Sequence, residues 1–367
     1  MSTVYFMDLR TTYQNNLITK LERLITAAGL DRIVSPRDQT AVKLHFGEPG
    51  NVAYIRPVFL RGIVSAIKRL GAVPFLTDTN TLYVGRRSTS ATHISAAIEN
   101  GFAYSVTQAP IIIADGLRGA NEVSVPIDGK HFKSTQIAAD IVNADALVAV
   151  THFKGHPLSG FGGSLKNIGM GCASRKGKLS QHSDISPKVK RKKCIGCGTC
   201  VDHCSAKAIT LESEKARIDP EICIGCGQCI ITCPNEAIRV QWNSSMMLFQ
   251  EKMAEYAAGA LQNKTGKAFF ITFITQVSPN CDCLPTNDAP IVRDIGILAG
   301  TDPVAMDQAA IDLVNQEPGL AGSCLTSHLA PGEDKIAGIY PKVDWQIQLD
   351  HAQFLGIGSR SYTLETI

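Results

Sequence analysis

Two cysteine runs in the middle of the chain constrain it more than any other feature of its 367 residues. They read Cys194-Ile-Gly-Cys197-Gly-Thr-Cys200-Val-Asp-His-Cys204 and Cys223-Ile-Gly-Cys226-Gly-Gln-Cys229-Ile-Ile-Thr-Cys233-Pro234. Each has the spacing C-x2-C-x2-C-x3-C, in which three thiolates wrap three corners of an iron–sulfur cube and the fourth reaches across to a second cube. The spacing predicts two [4Fe–4S] clusters, one held by Cys194, Cys197, Cys200 and Cys233, the other by Cys223, Cys226, Cys229 and Cys204. Zinc fits less well, because structural zinc usually takes ligands in separated pairs rather than four in one tight run. Disulfides fit worse still. The N-terminal residues lack the basic-then-apolar pattern of an export signal, so a reducing cytoplasm is the expected compartment, where thiols serve metals.

The runs are an internal repeat at an offset of 29, since Cys194-Ile-Gly-Cys-Gly matches Cys223-Ile-Gly-Cys-Gly and Ala208-Ile209 matches Ala237-Ile238. In this they resemble a bacterial-type two-cluster ferredoxin. Gly196, Gly198, Gly225 and Gly227 are expected to let each loop curl with its N–H groups aimed at sulfur. Ala208–Leu211 and Ala216–Asp219 read as short hairpin strands. Ser205 departs from the repeat, standing where Pro234 stands in the second run, without removing a ligand. Before the repeat, Pro187–Lys193 carries five positive charges in seven residues. It reads as a solvated linker that also offsets cluster charge, or as a docking segment for an acidic redox partner protein.

The flanking sequence has another rhythm. Val42, Leu44 and Phe46 alternate with Lys43 and His45, as in a strand with two different faces. Pro57 opens a helix with apolar residues at Leu60, Ile63, Val64 and Ile67, closed by Gly71. Strands follow at Val73–Thr77, Ile111–Asp115 and Ala146–Val150, separated by helical patterns over His93–Asn100 and around Thr135–Val142. After the cysteines come a helix over Ser245–Leu261, whose methionines read as core filler, a strand over Ala268–Ile274, and a strand and turn over Ile295–Thr301. Strands separated by helices predict an α/β fold, a mostly parallel sheet covered by helices. The apolar C-terminal strands need the N-terminal sheet to bury them. The expected organisation is therefore a discontinuous α/β domain, residues 1–186 and 241–367, interrupted at 187–240 by a small α+β ferredoxin-like domain.

In such a sheet, ligands bind beyond the carboxyl ends of the strands. Lys43, His45, Asp78, Asn80, His152 and His156 fall there, as does Lys154. Gly160–Gly171 is glycine-rich and contains Lys166 and Asn167, so its backbone N–H groups and Lys166 are expected to hold a small anionic ligand; the alternative is a tight connection. It is neither a Walker A loop nor a dinucleotide fingerprint. Asp302-Pro303 reads as an N-cap and first turn, and Asp307, one turn on, as a candidate for metal or substrate. Cys281-Asp282-Cys283 reads either as a metal-binding or cluster-adjacent motif or as an inert polar turn. Cys324 reads as structural. A net charge of +3 and the absence of any recognition motif argue against nucleic acid, and no apolar run is long enough for a membrane helix.

The series Lys43-Leu-His45-Phe-Gly, Thr77-Asp78-Thr-Asn80, Gly155-His156, Ser164-Leu-Lys166-Asn167, Cys281-Asp-Cys283, Asp294-Ile-Gly296 and Asp302-Pro-Val-Ala-Met-Asp307 resembles domain-of-unknown-function family 362, whose members are often described as uncharacterised iron–sulfur centre proteins. The resemblance spans nearly the whole chain and implies the subtype with a ferredoxin insert, but no reaction. Two functions are compatible with these residues. One is an iron–sulfur oxidoreductase, relaying low-potential electrons to or from a site near the residues at the strand ends. The other is an electron carrier or assembly factor whose α/β domain only docks a partner enzyme.

Overall fold

The computed structural model describes residues 1–183 and 186–367; Asp184 and Ile185, inside the expected first segment, lie outside the described residues. An eight-stranded sheet organises the molecule. Its strands are β1 (Ser2–Asp8), β2 (Gln39–Lys43), β3 (Val73–Asp78), β4 (Ile111–Ile113), β5 (Ala146–His152), β6 (Ala268–Ile274), β7 (Gly296–Gly300) and β8 (Tyr362–Thr366). In space the order is β8-β1-β7-β6-β5-β2-β3-β4. Every neighbouring pair is parallel except the two that flank β7, where Tyr5 faces Ala299 and Ile271 faces Ala299 from the other side, both antiparallel. The sheet draws its strands from both sides of the cysteine runs.

Alternation along these strands builds two apolar layers. Ala41, Leu147, Ala149 and Phe270 pack with residues of the helices Met246–Leu261 and Pro303–Gln316. Val42, Val148, Val150, Phe269 and Ile271 pack on the opposite face with residues of Leu17–Ala27 and Pro57–Arg69. A central strand sandwiched this way must be apolar on both faces, and β5 is buried at all seven positions. The helix at Pro57 begins at the proline, as expected. The helix expected around Thr135–Val142 does not form as such. Ser134–Ala138 is a strand, paired antiparallel with Glu122–Pro126, and only Ala139–Asn143 is helical. Thr135 and Ile137 are buried against this partner, an outcome that depends on pairing rather than on local period.

The glycine-rich stretch is also more regular than expected. Gly160–Gly162 pairs with Lys154–His156, and Ser164–Gly169 is helical. The N–H groups of Ser164 and Leu165, which an anion would need, are already taken by the Asp307 carboxylate at 2.6 and 3.0 Å. Asp307 is therefore a buried cap for that helix, and not a companion of Asp302, which caps its own helix through Val304 N and Ala305 N. Of the methionines in the helix Met246–Leu261, Met253 is buried, whereas Met246 and Met247 are exposed.

The cysteine-rich stretch carries two short ladders, Lys188–Val189 with Ile238–Arg239 and Ile209–Glu212 with Lys215–Ile218. Two short helices, Thr199–Asp202 and Gln228–Thr232, carry Cys200 and Cys229, and each follows a glycine in the left-handed region, Gly198 or Gly227. Gly196 and Gly225 are left-handed too, so the repeat in sequence is a repeat in backbone. Lys190–Lys193 is exposed, as a solvated charge run should be. Among the described residues, no helix is long and apolar enough to cross a membrane.

Candidate functional site

Strands β2, β3 and β5 run parallel, so their carboxyl ends open at one edge of the sheet. Beyond that edge lies a cavity of about 680 Å³. Of the seven candidate residues at the strand ends and in the glycine-rich stretch, Lys43, His45, Asp78, His156 and Lys166 line it. Asn80 and His152 do not. Asn80 donates from its backbone and side chain to Asp115 (3.0 and 2.7 Å), tying the end of β3 to the end of β4. His152 lies behind the wall, with Nδ1 2.9 Å from Asp282 and Nε2 2.8 Å from the Thr275 carbonyl. Both hold backbone in place, and a polar residue after a strand does not reveal which way it will turn.

Lys43 and Asp78 form the centre of the floor. The Lys43 ammonium contacts Asp78 at 3.0 Å and donates to Asn167 Oδ1 at 2.9 Å, and both partners of the ion pair are buried. Arg87 bonds Glu48 at 2.8 Å and the Tyr83 hydroxyl at 2.7 Å, and stands 3.5 Å from the other Asp78 oxygen. Burial works to raise the Asp78 carboxyl, but Lys43, His93, Arg87 and Lys178 hold it below its ordinary value, so it is ionised. Burial pushes Lys178 the other way, down to about 8, with Asp115 and Asp78 resisting. Lys178 can therefore hold or release a proton near neutrality.

The opposite wall is aromatic. His182 stacks on Phe249 with centroids 4.8 Å apart and meets Trp242 edge-on at 4.7 Å. Burial, then the charges of Lys166, Lys178 and Lys252, push it down to about 3. His45 and His156 are held well below the usual imidazole range, by burial first and by Arg87 and Lys166 respectively next. A histidine whose folded value lies below its unfolded one destabilises the fold as pH falls through the unfolded value, about 6.5, toward the folded one. Acidification from about pH 7 to about pH 4 is thus expected to lower the urea midpoint, and His182→Phe to flatten that slope. An unchanged slope would mean that His182 is not held neutral.

Sequence patterns could not have named Arg87, Lys178, His182 or Glu48, which come from loops and a helix with no motif of their own. Among the described residues that line it, six are cationic (Lys43, Arg86, Arg87, Lys154, Lys166, Lys178) and two are acidic (Glu48, Asp78). That excess favours an anionic occupant. Cys281 and Cys283 also line the cavity, while Asp282 between them turns away toward His152 and Lys154. The three residues do not converge as a metal site, and neither thiol lines the pockets of the cysteine-rich stretch. Cys324, read as structural, is exposed.

The eight cysteines of the runs gather in two groups of four. Cys194, Cys197, Cys200 and Cys233 line one pocket; Cys204, Cys223, Cys226 and Cys229 line another. Backbone N–H groups point at sulfur at equivalent places in the repeat, from Ala208 to Cys204 at 3.3 Å and from Ala237 to Cys233 at 3.2 Å. The second group sits near the cavity. A Cβ placed on Gly227 would lie 3.4 Å from Leu82, which lines the cavity and packs with the apolar side chains of the cysteine-rich stretch. Among the described residues, no three His, Cys, Asp or Glu side chains close on one point, as a single metal ion would require.

These features define an α/β protein with a cation-rich cavity at the carboxyl ends of its parallel strands. The chain belongs to the family described as Domain of unknown function (DUF362), whose model matches residues 40–312. No curated protein matches it. Among solved structures it is similar to the lactate racemase apoprotein from Thermoanaerobacterium thermosaccharolyticum, at 14% identity and a TM-score of 0.38; the match takes in 74% of this chain and 50% of that one.

Proposed function

We propose that the chain is an iron–sulfur redox protein in which residues 187–240 form a ferredoxin-like insert holding two [4Fe–4S] clusters, and the cavity of the surrounding α/β domain holds an anionic substrate. The observation that carries this reading is the gathering of the eight thiols into two groups, each taking its fourth member from the other run. The donor set fits the group. All eight candidate donors are cysteine sulfurs, they surround a space instead of a point, and N–H donors aim at three of the sulfurs. Such clusters, when bound, supply single low-potential electrons.

The side chains of the cavity have separate tasks in this reading. The net positive lining draws in the anion, the Lys43–Asp78 pair forms the floor beneath it, and the Lys178 side chain gives a proton from its ammonium form or takes one in its amine form at Nζ. The stacked His182 and Phe249 keep water from that wall. The contact of Leu82 with the cysteine-rich stretch favours electron transfer into this cavity over a role limited to carrying electrons or docking a partner. The chain still needs a redox partner protein to load or unload it, in a reducing cytoplasm.

Chain purified without oxygen should contain about eight iron and eight sulfide. Soaking it with a series of small carboxylates and phosphates should identify an anion that raises its melting temperature and shifts the reduced-cluster spectrum. Iron far below that level would refute the clusters, and anion binding with no spectral shift would favour the carrier reading.

A further inference from the structure

Cys281 and Cys283 stand together on the cavity wall, outside both groups of four. Three observations make them a chemical pair. First, Asp282 is turned the other way, anchored by His152 at 2.9 Å and Lys154 at 3.5 Å, which leaves the two thiols on the cavity side. Second, a turn closed by Leu284 N to the Cys281 carbonyl at 3.0 Å folds this segment. Two residues of extended chain reach at most about 7 Å, and a turn shortens that into the roughly 4.4–6.8 Å between Cα atoms that a disulfide spans. Third, the Lys166 ammonium donates to Cys281 Sγ at 3.1 Å, deep in the wall, where Cys281 is 1% exposed.

The two thiols are electrostatically unequal. Hydrogen bonding with Cys283 holds Cys281 well below the ordinary thiol range, with Lys166 and Lys154 overcoming the effect of burial. The same hydrogen bond, then burial, raises Cys283 well above that range. The Lys166 ammonium, 3.1 Å from Cys281 Sγ, favours the thiolate on Cys281 over Cys283, the inequality an attacking and a resolving cysteine need.

We propose that Cys281 and Cys283 form a thiol–disulfide exchange site within the cavity, Cys281 attacking and Cys283 resolving, whose substrate is a small anionic disulfide. The Cys281 thiolate attacks one sulfur of the substrate disulfide, forming a mixed disulfide as the substrate S–S bond breaks and one thiolate leaves. Cys283 then loses its proton to that leaving thiolate and attacks Cys281 sulfur. The Cys281–Cys283 bond forms, and the second substrate thiolate departs and takes a proton from solvent. The protein dithiol is oxidised and the substrate disulfide reduced to two thiols, with no further reductant. Lys166 is a positioning residue that holds the thiolate, and the cationic lining selects the anion. The inference goes beyond the cluster reading and does not depend on it.

Full chain purified without oxygen, exposed to glutathione disulfide near neutral pH and mapped by peptide mass spectrometry, tests it. Wild type should yield a Cys281–Cys283 disulfide, and Cys283→Ser a glutathione adduct on Cys281. Iodoacetate should label Cys281 in Cys283→Ser at about pH 6, and Lys166→Gln should slow that labelling roughly tenfold while moving its pH profile upward. Peptide-level mapping separates these thiols from the other cysteines, so loss of iron and failure of the exchange read out independently. Absence of the Cys281–Cys283 bond in the wild type overturns the proposal, whatever the variants do. Labelling no slower in Lys166→Gln overturns the role of Lys166.

Discussion

Replacing Cys204 and Cys233 together by alanine is expected to unfold the cysteine-rich stretch and leave the eight-stranded sheet intact. Each group of four loses one member, the one supplied by the other run. Under the proposed cluster reading, little besides ligation closes the stretch. Among the described residues its apolar cluster has nine buried members, and two of them, Leu82 and Leu179, belong to the surrounding domain. Its ladders are two and four residues long. Segments of this size usually need metal or disulfides, and where ligation and folding are coupled the metal supplies about 10 kcal/mol or more. Limited proteolysis with mass mapping should cut the variant between residues 190 and 240 and spare the sheet strands, with iron nearly absent. Resistance equal to wild type would mean that the stretch folds on its own packing, without ligation.

Lys43→Met is expected to destabilise the α/β domain by about 3–5 kcal/mol, the usual cost of removing one partner from a buried ion pair. Both members are sealed, Lys43 at 1% exposure and Asp78 at 3%. The loss would leave the Asp78 carboxylate with weaker support, Arg87 at 3.5 Å, His93 at 3.8 Å and the more distant charge of Lys178. It would also free Asn167 Oδ1, which accepts from Lys43. The double variant Lys43→Met with Asp78→Leu should lose less than Lys43→Met alone, since no charge is then left bare. Urea denaturation followed at the near-ultraviolet signal of the sheet domain measures both. A single-variant loss within about 0.5 kcal/mol of zero, the range typical of ordinary surface substitutions, would show that the pair is solvated in practice.

Much of the scaffold was legible in the residues. Pro57 reveals a helix start and Asp302 a cap, because each rests on local stereochemistry that neighbours seldom override; Val42, Leu44 and Phe46 do pack in one apolar layer, but the strand ends at Lys43, before Leu44 and Phe46. Where pairing decides, the reading fails. Ser134–Ala138 has a period that suits a helix until Glu122–Pro126 lies beside it. Asp307 reads as a candidate for metal or substrate, yet its carboxylate crosses to Ser164 N and Leu165 N, contacts made 143 and 142 residues away. Asn80 and His152 carry the right chemistry at the right edge, and packing turned them from the cavity toward Asp115 and Asp282.

By itself the sequence determined the α/β class and the two matched cysteine runs, because strand and helix periods and C-x2-C-x2-C-x3-C are written within about a dozen residues. The tertiary structure alone decided the cavity. Lys43 meets Asn167 across 124 residues and Lys166 meets Cys281 across 115. At such separations the chain carries no local record of who will meet whom. Burial and the charges packed beside it then set the chemistry: burial keeps His182 neutral, while Lys43 and Arg87 hold Asp78 charged and Lys166 favours the charged form of Cys281, both against burial.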